Sequence, residues 1–168
     1  MKALTICQPY AELIARGEKE IENRTWATSY RGPLAIHAGK SKAWLDPEDR
    51  THYPGMVFGA VVALATLRGC IRIEDLPLEY RGSAHANGPW CWILIDVRRI
   101  EPVPCKGAQG LWDWEPPRAL SPDFISTVPP TAGTRALTLD VLREAAANLT
   151  VTPHGSPRAI DAKEGQES

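Results

Sequence analysis

Alternation of apolar and polar positions runs through most of the first hundred residues. Lys2 to Cys7 places Leu4 and Ile6 on one face and predicts a strand. Pro9 and Gly17 then bracket a short helix in the expected order, proline in the first turn and glycine just past the end. Tyr10, Leu13 and Ile14 supply its apolar stripe. Alternation resumes over Ile21 to Trp26 and again over Pro33 to Ala38, where Leu34 and Ile36 oppose Ala35 and His37. Val57 to Ala65 is apolar on both faces, as in a strand covered on both sides. Trp90 to Val97 alternates once more, with Cys91, Ile93, Ile95 and Val97 opposite Trp90, Trp92 and Leu94. Five or more strands around few helices predict an α+β fold, a small β-barrel with a short helix after the first strand.

The pattern stops near residue 115. Eleven of the twelve aromatic residues lie at or before Trp114, and nine of the fifteen prolines lie after residue 100. Pro116-Pro117, Pro122 and Pro129-Pro130 interrupt any helix or central strand. Leu139, Leu142, Ala145 and Leu149 return at helical spacing, and the polar run from residue 155 has the composition of a disordered end. The expected organisation is a domain over residues 1–116. A proline-rich tail follows over 117–168, with a helix at about 134–149.

Composition narrows the function classes. Nineteen Lys and Arg against twenty Asp and Glu leave a net charge of -1, so nucleic-acid binding through a general basic coat is excluded. The longest mainly apolar run, Met56 to Leu67, is short of the roughly 20 residues that a membrane helix needs. The N-terminus shows no signal-peptide core. Cys7, Cys70, Cys91 and Cys105 form no Cys-x-x-Cys pair, and reduced cytoplasmic thiols are expected. His37, His52, His85 and His154 make no metal-ligand pattern, so neither a metal nor a cofactor is expected. A small near-neutral domain suits a monomer.

Gly17-Glu18-Lys19-Glu20-Ile21-Glu22-Asn23-Arg24 is the most informative stretch. On a period of two, Glu20, Glu22 and Arg24 share one face of the second strand, while Ile21 and Asn23 take the other. A carboxylate and a guanidinium so spaced brace each other and keep hydrogen-bonding edges free. Lys19, at the helix-to-strand junction, can reach a cleft beside them. The plain alternative is a solvated, charged edge strand.

Three further segments bear on that choice: Gln8-Pro9-Tyr10, Tyr30-Arg31-Gly32 with the apolar strand ending in His37, and Gly107 to Trp112. Together with Gly17, Lys19, Glu22 and Arg24, in a Gly-x-Lys-x-x-Glu-x-Arg pattern, they make residues 2–114 resemble the ASCH family of the PUA-like superfamily. The resemblance implies a PUA-like β-barrel with a cleft beside the first helix and a role in handling RNA or another nucleic acid. Lys19, Glu22 and Arg24 would face that cleft. Trp26, Tyr30 and Tyr10 are candidates to stack on a base, and His37 is a candidate polar contact. Each aromatic has core packing as its alternative. His37 has a satisfied strand-end role as its own.

The chemistry of these residue types agrees with that implication. A carboxylate accepts from a base amino group, Arg and Lys donate to base or phosphate oxygens, and aromatics stack. The expected ligand is RNA, a single-stranded or modified nucleic acid, or a nucleoside. Some proteins of the family resemble amidohydrolases acting on acetylated cytidine, with a threonine nucleophile three residues after the lysine; others are described as nucleases. Here Glu22 occupies the threonine position, which removes that hydroxyl. Lys19 and Glu22 could then serve only as a general acid/base pair in a hydrolase of the same cleft. A protein-interaction domain is the third reading.

Overall fold

The fold rests on a chain that alternates between two faces of one sheet. The computed structural model describes residues 1–117 and residue 120. Its strands are β1 (Lys2–Ile6), β2 (Ile21–Arg24), β3 (Gly32–Ala38), β4 (Ala60–Arg72), β5 (Trp90–Pro104) and β6 (Leu111–Asp113). Three short helices join them: α1 (Tyr10–Ala15), α2 (Asp49–His52) and α3 (Leu78–Arg81). The sheet order is β2-β5-β4-β3-β1-β6, with β1 parallel to β3 and the other neighbours antiparallel. The six strands make a mixed half-barrel, which is the expected α+β small-barrel class. Among the described residues no helix is long and apolar enough to cross a membrane. The helix expected over 134–149 and the disordered end lie outside the described residues.

Among the described residues, two apolar clusters explain the alternation. Leu4 and Ile6 of β1, Leu34, Ile36 and Ala38 of β3, and Trp92 and Leu94 of β5 pack together with Ile14 of α1. The intervening residues Ala3 and Ala35 join Val61, Leu64 and Trp114 on the opposite face. Burying side chains of this size stabilises by roughly 1.5–3 kcal/mol each, which fixes the register of β1 and β3.

Differences from the sequence expectation have local causes. The stripe of α1 is rotated: Ala11, Glu12, Ile14 and Ala15 are buried, whereas Tyr10 is 38% exposed. Glu12 can be buried because Arg99 clamps both its oxygens at 2.6 and 3.1 Å. The fourth strand begins at Ala60 and continues past Ala65 to Arg72, since its polar half is paired with β5 through Gly69↔Ile93 and Arg72↔Trp90. In β5 the phase slips at Asp96, which has φ 50, a left-handed conformation that Asp tolerates. Two steps of β4 from Thr66 to Leu64 face three of β5, from Ile95 to Arg98. Val97 therefore joins Trp92 and Leu94 instead of opposing them.

Candidate functional site

The end of α1 sets the position of Lys19. Gly17 adopts φ 75, and the Gly17, Glu18 and Lys19 amides donate back to the carbonyls of Ile14, Leu13 and Leu13. This turn folds Lys19 under the helix, where it is only 2% exposed. Its ammonium donates to the Ile21 carbonyl and stands 3.1 Å from Glu22 Oε2. The other oxygen of Glu22 faces Arg24 Nη2 at 3.2 Å, and that nitrogen also donates to the Thr5 carbonyl at 2.9 Å. One carboxylate is thus shared by two cations on a floor made by the chain from Lys19 through β2.

A cleft of about 500 Å³ opens over this floor. Thr5 and Cys7 bound it on the β1 side, Tyr10 on the helix side, and His85 and Asn87 on the far side. Lys19 Nζ lies 5.7 Å from the centre of the Tyr10 ring, a cation–π contact. Trp44, 65% exposed, also lines the cleft. A large aromatic so open to water beside charged groups is a ready stacking surface.

The far wall is held by β2 itself. Asn23 Oδ1 accepts the amides of Asn87 at 3.0 Å and Gly88 at 2.9 Å, and its Nδ2 donates to the His85 carbonyl at 2.8 Å. A Cβ on Gly88 would come within 2.6 Å of Asn23 Cβ, so this approach requires glycine. Alternate residues of one strand therefore do two jobs: Glu22 and Arg24 make the floor, and Asn23 pins the wall.

Electrostatics follow from burial. Desolvation lowers the Lys19 pKa, with Glu22 pulling it up and Arg24 adding to the fall. The His85 pKa is lowered by burial and by the nearby Lys19 charge.

The sequence that builds this cleft matches a known family model. The model for the ASCH domain matches residues 4–104, well over half of the chain. The chain belongs to the ASCH domain family. Among solved structures, ASCH from Zymomonas mobilis is 13% identical, covering 89% of this chain and 95% of that one, with a TM-score of 0.39. A serine-to-alanine mutant of the same protein is 14% identical over 61% of this chain and 72% of that one, also at 0.39. No curated protein matches.

In this ASCH domain the residues of the Gly-x-Lys-x-x-Glu-x-Arg pattern meet. Gly17 makes the turn, and Lys19, Glu22 and Arg24 converge with Tyr10 on one cleft. The other sequence candidates stand elsewhere. Trp26 packs edge-on against Trp92 with ring centres 4.7 Å apart. The Tyr30 hydroxyl donates to the Pro33 carbonyl. His37 lines a neighbouring cavity, and Glu20 is not among the residues around the cleft. Trp44, His85 and Asn87 were not foreseen; they lie between regular elements, where no periodicity assigns a side.

Proposed function

We propose that this ASCH domain binds a base of single-stranded or modified RNA in the cleft above Lys19, Glu22 and Arg24. The observation that carries the reading is the shared carboxylate. Glu22 holds two cations in place while the guanidinium keeps donor edges for a base or phosphate oxygen. Trp44 and Tyr10 supply aromatic surface to a base, and stacking is worth roughly 1–3 kcal/mol per base. A volume of about 500 Å³ suits a small ligand. Few phosphates can be neutralised there, so affinity should fall only gently with salt.

A thermal-shift series with the four ribonucleosides and their modified forms tests the reading. A ligand at 100 times its dissociation constant stabilises the fold by roughly 2.7 kcal/mol. A shift with wild type that disappears in Arg24→Ala supports the reading. Equal shifts in both proteins contradict it.

The lowered pKa of Lys19 favours a second reading, hydrolysis in the same cleft. The nucleophile would be water. The Thr5 hydroxyl is engaged with the Ala108 carbonyl and the Trp112 indole, and Thr25 is exposed outside the cleft. Incubation with acetylcytidine or short RNA, followed by product analysis, decides between the two. Turnover by wild type and none by Lys19→Met would make the domain an enzyme.

A further inference from the structure

Behind Thr5 lies a second and larger cavity, of about 820 Å³. Thr5 is the wall between the two. Its carbonyl accepts Arg24 on the cleft side; its hydroxyl donates to the Ala108 carbonyl at 2.9 Å and accepts the Trp112 indole at 3.2 Å. Lys40 and Lys106 line the second cavity, and among the described residues its lining includes no carboxylate. Among the described residues, four cations, Lys19, Arg24, Lys40 and Lys106, face one carboxylate, Glu22, across both cavities, in a chain whose net charge is -1. Such local concentration of positive charge favours an anionic ligand long enough to cover both.

Two glycines in the wall of this cavity make room for the side chains packed against them. Gly59 has φ 68, and a Cβ there would meet Lys40 Cε at 2.6 Å, so the lysine stem lies across the glycine. Gly107 lies directly on the buried His37 ring; a Cβ at that position would come within 2.6 Å of His37 Nδ1. His37 Nε2 faces the Cys105 carbonyl at 3.3 Å, so Nε2 carries the proton and Nδ1 remains a buried acceptor. His37 thus supports the rim from beneath.

We infer that the second cavity seats the nucleotide adjoining the one whose base enters the first cleft, with its phosphate against Lys40 and Lys106. This rests on the nucleic-acid reading of the first cleft and deepens it. The preferred ligand becomes a short strand, not a free nucleoside. A chain passing over Thr5 would present one base to Arg24 and the next sugar–phosphate to the lysines.

Two native thiols report the two cavities separately. Cys7 lines the first and Cys105 the second, both partly exposed, while Cys70 and Cys91 are buried. The experiment follows maleimide labelling of the full chain by mass spectrometry, with each ribonucleoside and each homotrinucleotide as probes. A nucleoside should slow labelling of Cys7 alone about tenfold, and a trinucleotide should slow Cys7 and Cys105 together. Protection of Cys7 by the trinucleotide with Cys105 unchanged overturns the second seat and leaves the first. Absence of protection at Cys7 overturns the nucleic-acid reading as well. Lys40→Gln with Lys106→Gln, both exposed positions, should bring trinucleotide affinity to within twofold of the nucleoside's. The salt slope should fall by about 0.7 for each phosphate that is no longer neutralised. An unchanged trinucleotide affinity in that variant also overturns the inference.

Discussion

Lys19 Nζ and Glu22 Oε2 stand 3.1 Å apart on side chains that are 3% and 10% exposed. Removing one partner of a buried pair leaves the other charge without compensation, at a cost of about 3–5 kcal/mol. Glu22→Gln should therefore lose that much in urea denaturation at neutral pH, and Lys19→Met with Glu22→Gln should regain the part owed to Lys19, leaving the loss at Arg24. The sign with pH is fixed by burial. The Lys19 pKa is lowered in the fold, so the unfolded chain binds more protons below its ordinary value and stability rises with pH. The Glu22→Gln deficit should shrink as pH is raised toward 10.5, the ordinary lysine value. A deficit that grows would contradict the assignment.

Two histidines give the acid-side counterpart. Burial lowers the His37 pKa, with Lys40 adding to the fall and the Cys105 carbonyl opposing it; burial and Lys19 lower that of His85. Both rings are held neutral, and the unfolded chain takes up protons first as pH drops through 6.5. Their contribution is complete above that value and is lost below it. NMR titration of the two rings should give midpoints under 6.5, and His37→Gln with His85→Gln should flatten the loss of stability between neutral pH and about pH 5. Midpoints above 6.5 would contradict the burial argument.

Asn23 should behave as a positioning residue. Its three hydrogen bonds to His85, Asn87 and Gly88 are each worth about 1 kcal/mol net, so Asn23→Ala should cost about 2–3 kcal/mol. Hydrogen exchange should show the loss at the Asn87 and Gly88 amides, with the β4 amides still protected. Asn23→Asp keeps the acceptor and should restore protection of those two amides. Unchanged exchange in Asn23→Ala would remove Asn23 from the account of the wall.

Trp44 and Trp92 separate binding from folding. Trp44 is 65% exposed, so Trp44→Ala should move stability by no more than about 0.5 kcal/mol, as surface substitutions do. It should nevertheless weaken RNA binding roughly five- to 150-fold if it stacks on one base. Trp92 is fully buried, and Trp92→Ala should cost about 3–5 kcal/mol. Equal RNA affinity in Trp44→Ala and wild type would take Trp44 out of the site.

What could be read from the chain follows from where periodicity operates. β1, α1 and β3 were legible because Leu4/Ile6, Pro9/Gly17 and Leu34/Ile36 each mark a short element by local spacing, the larger apolar residues of the two strands falling on one face. The convergence of Lys19, Glu22 and Arg24 was legible because strand spacing and one helix-ending glycine set it locally. The second halves of β4 and β5 were not, since Arg68, Arg72, Arg98 and Arg99 carry no apolar alternation and the strands continue only through pairing. β6 is three residues long and exists through its register with β1. Trp26 and Tyr30 looked like cleft aromatics by proximity to Arg24 in sequence, yet both pack against the core. Trp44 and His85 reach the cleft from loops, which only tertiary structure can place.

Titrating fluorescent single-stranded RNA against wild type and Arg24→Ala, with both proteins first shown to be folded, decides whether this cleft binds RNA. A hydrogen bond to a charged group is worth roughly 1.5–3 kcal/mol, so the variant should bind at least about tenfold more weakly. Identical isotherms for the two proteins would contradict the account.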